Sequence, residues 1–150
     1  MSDKFIQQQR VEREQLRRLL KTMRPLLVRS RETAPTDIEL AALATFLHGF
    51  YTGTENILKR ASLEIDGRRM AGEHWHRDLL HSMAEPGELR PALLSLESRL
   101  RLAEYLAFRH VFRNAYSFDL DWNKMRALVL GAEELFTQLE VELDQFIERL

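Results

Sequence analysis

The ten residues AFRHVFRNAY, Ala107 to Tyr116, set two arginines, a histidine, an asparagine and a tyrosine among positions that are otherwise mostly apolar. On a helix Arg109 and Arg113 are four apart and share a face, and Tyr116, seven after Arg109, returns to the same side. His110 and Asn114 form a second such pair alongside. Phe108, Phe112 and Ala115 repeat the spacing and can supply the buried side. Such a group contains what cleavage of RNA without a metal requires. It has a base of near-neutral pKa for the 2′-hydroxyl, cations for the charge developing on phosphate, and donors for orientation. A solvated or salt-bridged helix face has the same composition, so spacing alone leaves both readings open.

Other polar residues invite weaker versions of the same question. Glu55 and Asn56 interrupt an apolar helical pattern and are expected either to face the Arg109/Arg113 surface or to enter a buried ion pair. His74, Asp78 and His81 have a helical spacing that could converge on a metal, but the segment is short and lacks a distant ligand, so no metal site is assigned. His48 and His76 read as lone histidines in packing or surface positions. Trp75 and Trp122 read as core or dimer-interface anchors.

The elements that must position these residues are helices. Six glycines, four prolines and no alternating strand pattern point to an all-α chain. Leu16, Leu19, Leu20, Met23, Leu26 and Leu27 define a first helix from about Lys4 to Arg31, with Pro25 expected to kink or restart it. Thr36-Asp37-Ile38-Glu39 has the form of a capping box opening a second helix that stops near Gly67, with Gly49 and Gly53 one turn apart for close helix approach. A minor helix is expected from about Glu73 to Ala84. Pro91 suits the first turn of a third long helix, along which Leu93, Leu96, Leu100, Ala103, Ala107 and Val111 follow the helical period toward Tyr116. Ser117 to Leu120 is a tight connection, and Asp121 caps a last helix from Trp122 to Leu150. The economical fold is an antiparallel four-helix bundle with one extra short helix, one domain over residues 1–150.

Bulk composition narrows the functional classes. The 150 residues are 45% apolar and 30% charged, enough for one buried core, and the net charge of -1 gives no overall drive toward nucleic acid. Any RNA site must therefore be a local basic patch. Arg10, Arg13, Arg17, Arg18, Lys21, Arg24, Arg29 and Arg31 crowd the first helix, while Glu133, Glu134, Glu140, Glu142, Asp144 and Glu148 crowd the last. Either the two faces attract one another within the fold, or the first is a basic arm for RNA or an acidic partner. The absence of cysteine excludes disulfides and thiolate metal sites. No apolar run approaches the ~20 residues of a membrane span, and MSDKFIQQQR has no apolar stretch of a signal peptide, so a cytoplasmic protein is expected.

The segment Phe108 to Trp122, FRHVFRNAYSFDLDW, taken with Phe50 to Arg60, FYTGTENILKR, and Trp75 to Leu80, WHRDLL, resembles the HepT-like branch of the HEPN superfamily. The similarity covers about Ile38 to Leu150. It implies a HEPN-like helical bundle that dimerises and, in toxin members, a metal-independent ribonuclease with an Arg-x4-His motif followed two residues later by tyrosine. It further implies an MNT-type nucleotidyltransferase as antitoxin, which adds AMP to that tyrosine. Arg109 matches the motif arginine and Tyr116 the modifiable tyrosine, but Asn114 stands at the histidine position. An amide cannot exchange a proton near neutral pH. His110 is the possible substitute, one turn earlier, about 6 Å along the axis and about 40° around it.

Three functional classes follow. The first is a toxin-type endoribonuclease, cofactor-free and homodimeric, with Arg109, His110, Arg113 and Asn114 catalytic, Tyr116 the site of AMP addition, and Glu55 and Asn56 in support. The second is a non-catalytic module that binds RNA or a nucleotide, and a nucleotidyltransferase partner. The third is a metal-dependent enzyme centred on His74, Asp78 and His81.

Overall fold

The helical periods of the sequence become five helices in the computed structural model, which describes residues 2–114, 116 and 119–150. These are α1 (Ser2–Arg29), α2 (Asp37–Glu64), α3 (Trp75–Met83), α4 (Leu96–Arg113) and α5 (Trp122–Glu148). No described residue lies in a strand, and no helix is long and apolar enough to cross a membrane. Ala115, expected on the buried side of the third long helix, and Ser117 and Phe118, expected in the link after it, lie outside the described residues.

Local chemistry sets the helix ends. Thr36 Oγ1 accepts from the Glu39 amide at 3.2 Å while Glu39 accepts from the Thr36 amide at 2.9 Å, the reciprocal capping box that starts α2. Past α2, Gly67 turns the chain with a φ of 66°, a conformation that costs a glycine little. Asp121 accepts from the Asn123 amide at 2.9 Å and caps α5. One expectation is narrowed and another corrected. α1 does not restart at Pro25 but passes through it as one helix, with the proline on the solvent side. Pro91 is not in the first turn of α4: the Leu93 and Leu94 amides both donate to the Met83 carbonyl at 2.9 Å, holding this stretch as a loop until Ser95 caps the helix.

Helix α1 lies antiparallel to both α2 and α5. Gly49 and Gly53 admit Leu19 and Leu16 of α1, and a Cβ on Gly53 would stand 2.6 Å from Leu16 Cδ2. Close approach was expected of a neighbouring backbone; side chains make it. Along α5, Phe5 meets Phe146 edge to face with centroids 5.9 Å apart. Arg13 binds Glu140 and Asp144, each at 2.8 Å, and Arg24 binds Glu133 at 2.6 Å. The opposite charges of the first and last helices thus meet within the fold, and Arg13, Arg17 and Arg24 are engaged there rather than forming a free basic arm.

Helices α4 and α5 are also antiparallel, joined where the buried Glu142 accepts from the Ser95 amide at 2.8 Å and from Ser98 Oγ at 2.7 Å. A carboxylate at the α4 N-terminus thus satisfies the amide of the capping residue and complements the positive end of the helix. The buried side chains of α4 are Ser98, Leu102, Tyr105 and Arg109, with Phe108 and Phe112 half-buried against the core. The other apolar series read from the sequence divides: Leu93 is buried before the helix begins, whereas Leu96, Leu100, Ala103, Ala107 and Val111 run down the outer face of α4, exposed. This helix has two apolar faces, and the core covers one.

Candidate functional site

The inner face of α4 meets α2 through charge. Arg109 is 8% exposed, and its Nη1 donates to Glu55 Oε1 at 3.2 Å. A carboxylate and a guanidinium buried this deeply are tolerated because each neutralises the other. Glu55 is shared: its Oε2 lies 2.6 Å from His76 Nδ1, and Arg109 Nη2 approaches the same imidazole at 3.3 Å. Read as Nδ1–H donating to the carboxylate, this bond fixes the His76 tautomer and leaves Nε2 as acceptor. Beneath the pair, the guanidinium lies 5.4 Å from the centroid of the buried Tyr51 ring, within the range of a cation–π contact. Burial, and next the charge of Glu55, push the Tyr51 phenol above its ordinary value, so it remains neutral.

His48 completes the group. Its ring sits 5.9 Å from that of Phe112. Burial holds the imidazole below its ordinary 6.5, and the positive charges of Arg109 and Arg113 push it the same way. The result is a neutral base at pH 7 beside two cations. His48 Nδ1 and Thr52 Oγ1 lie one turn apart on α2, buried and without a hydrogen-bond partner among the described residues. Unpaired buried polar atoms are uncommon.

The expected residues are not all brought together. Arg109 and Glu55 form the buried ion pair, one of the two outcomes anticipated for Glu55. Asn56 turns instead toward α1, its Nδ2 donating to Glu12 at 3.4 Å. Arg113 is exposed near His48. His110 does not join Arg109 within the protomer. It lies with Leu106, Ala107, Val111 and Asn114 around a shallow hollow of about 640 Å³ on the outer face of α4. One residue along a helix is a rotation of about 100°, enough to separate neighbours onto different faces. Asn114 is exposed at the helix end, its Nδ2 donating to the His110 carbonyl at 3.0 Å. Tyr116 lies beyond the helix, so helical phase does not place it beside Arg109; it is 72% exposed. Among the described residues His74, Asp78 and His81 do not assemble as a metal-ligand group, and His81 contacts Arg99.

His48, Tyr51 and His76 were missed as members of this group. The signal for the first two was present: His48, Tyr51 and Glu55 are spaced three and four apart, one face of α2. His76 comes from another helix, and no spacing announces it.

No curated protein and no solved structure matches the chain. The family described as HepT-like protein matches residues 42–150, most of the chain and all of α3, α4 and α5, with the greater part of α2. Its span contains Glu55, His76, Arg109 and Tyr116, and the chain belongs to the HepT-like family of the HEPN superfamily.

Proposed function

We propose that the protein is the toxin of a HEPN/MNT toxin–antitoxin pair and acts as a metal-independent endoribonuclease in a homodimer. The observation that carries this reading is the convergence of Arg109, Arg113 and a neutral His48 at one end of α4. Arg109 and Arg113 hold the scissile phosphate and stabilise its added charge. His48 removes the 2′-hydroxyl proton, the 2′-oxygen attacks phosphorus, and the bond to the 5′-oxygen breaks. The products are a 2′,3′-cyclic phosphate and a 5′-hydroxyl. Glu55 and His76 act as positioning residues for Arg109. The leaving oxygen takes its proton from the partner subunit's His110, carried on the outer face of α4.

That face supports the dimer. Leu96, Leu100 and Val111 are 61%, 55% and 62% exposed along one stripe, and a second copy of the same stripe buries both. Tyr116, exposed a few residues past the end of α4, is the proposed acceptor of AMP from a nucleotidyltransferase antitoxin. The resulting phosphodiester adds an anion where substrate phosphate would bind.

The test is cleavage of a labelled RNA in excess chelator. Expected are a cyclic-phosphate terminus, loss of activity in Arg113→Ala and His48→Ala proteins that still fold, and loss after coexpression with an active nucleotidyltransferase. A second reading, RNA binding without cleavage, is favoured by one observation: Glu55 already neutralises Arg109. Tight binding with no cyclic-phosphate product would establish it instead.

A further inference from the structure

A second basic site lies on the far side of His76. Lys59, Arg60, Arg68 and Arg69 surround a cleft of about 530 Å³ whose remaining wall includes Asn56 and Trp75. No ion pair is formed by any of these four cations among the described residues, whereas Arg13, Arg24, Arg90 and Arg109 each hold a carboxylate. The one acid lining the cleft, Glu12, is the acceptor of the Asn56 hydrogen bond. Four cations without an ion pair thus gather around one cavity in a chain of net charge -1.

The cleft is also fixed in place. The Arg68 amide donates to the Ser62 carbonyl at 2.9 Å, and Ser62 Oγ donates back to the Arg68 carbonyl at 2.7 Å, so the loop carrying Arg68 and Arg69 is tied to the end of α2. Lys59 Nζ stands 5.3 Å over the Trp75 ring, and the Trp75 and His76 rings lie 3.6 Å apart. The cleft therefore shares a wall with the Arg109 centre: Trp75 faces it, and His76 behind Trp75 binds Glu55. With both Lys59 and His76 packed against the indole, base stacking is not the natural recognition mode. Phosphate is.

We infer that the Lys59/Arg60/Arg68/Arg69 cleft is an anion site, separate from the Arg109 centre, that holds consecutive backbone phosphates of a single-stranded RNA. The choice of RNA as the phosphate source rests on the nuclease reading above. The cleft as a phosphate site does not.

The experiment measures binding of a fluorescein-labelled 2′-O-methyl RNA, which has no free 2′-hydroxyl to attack phosphorus, by anisotropy across a salt series. Arg60→Ala/Arg68→Ala/Arg69→Ala is expected to weaken binding at least tenfold at low salt. It should also reduce the slope of log K against log salt by about 2, at about 0.7 for each lost phosphate contact to a single strand. The single reversal Arg69→Glu, on an exposed loop, should act in the same direction. Unchanged affinity and slope in both variants, with unchanged thermal melts, would overturn the site. Displacement of the RNA by ATP or inorganic triphosphate at equal phosphate concentration would overturn the RNA assignment in favour of a free polyphosphate. Wild-type protein that binds with the expected variant dependence but never cleaves unmodified RNA supports the cleft while removing the nuclease reading.

Discussion

Arg109 of α4 and Glu55 of α2 form a buried ion pair at 3.2 Å, and His76 of α3 closes on the same carboxylate at 2.6 Å. Three helices are pinned at one point by one negative charge. Removing either partner leaves the other uncompensated, so Glu55→Ala should lower unfolding free energy by about 3–5 kcal/mol in urea titration. A double replacement, Glu55→Met with Arg109→Met, should recover most of that stability and no cleavage, because a packed apolar pair costs little and holds no phosphate.

His48 and the partner subunit's His110 make complementary contributions in the proposed dimer. His48→Ala should lose about 10²–10⁴-fold in cleavage rate, the usual worth of a general base or acid, with a native circular dichroism spectrum, and His110→Ala should fall within the same range. Mixing the two inactive proteins by co-refolding should restore roughly a quarter of wild-type activity, since half the dimers are mixed and one site in each is intact. If both histidines served the same protomer, mixing would restore nothing.

The lowered pKa of His48 has a stability consequence whose sign is fixed. The unfolded histidine, at about 6.5, takes up a proton before the folded one does, so stability falls as pH drops below about 6.5 and is unaffected well above it. His48→Gln should flatten this part of the pH–stability curve. For cleavage, the free base persists to lower pH, so the acidic limb of the rate profile should lie below pH 6.5.

Leu100→Glu with Val111→Glu should convert the proposed dimer to a monomer, read by light scattering after size exclusion. Both side chains are exposed in the protomer, so the melting curve of the monomer should retain its cooperativity. A protein that remains dimeric would place the interface elsewhere.

Gly49 and Gly53 should respond oppositely to alanine although they are one turn apart. Gly53→Ala drives a methyl toward Leu16 Cδ2 at 2.6 Å and should destabilise by about 1–3 kcal/mol. Gly49→Ala meets Leu19 Cδ2 at 3.4 Å, an ordinary contact, and should gain up to about 1 kcal/mol from helix propensity. Paired thermal melts decide both.

Much of the fold was legible because it depends on local rules. The capping box at Thr36, the Asp121 cap, the glycine notch on α2 and the leucine periods of α1 and α5 each involve residues a few positions apart. Their consequences follow from helix geometry alone. Pro91 misled for the complementary reason: a proline suits a first turn, but the Leu93 and Leu94 amides were claimed by the Met83 carbonyl on another element.

The candidate site was legible in its types and not in its membership. The sequence by itself determined that α4 would carry Arg109 and Arg113 four apart, with Asn114 where the resemblance implies histidine, and that two apolar series would run along the helix. Only the tertiary structure decided between the stripes, packing Phe108 and Phe112 half-buried against the core and leaving Leu100 and Val111 outside. With that rotation, Arg109 turned inward to Glu55, His110 turned out, and His48 and His76 arrived from two other helices. The physical reason is that an amphipathic pattern fixes which residues share a face, whereas the choice of buried face belongs to the partners that can neutralise its charge.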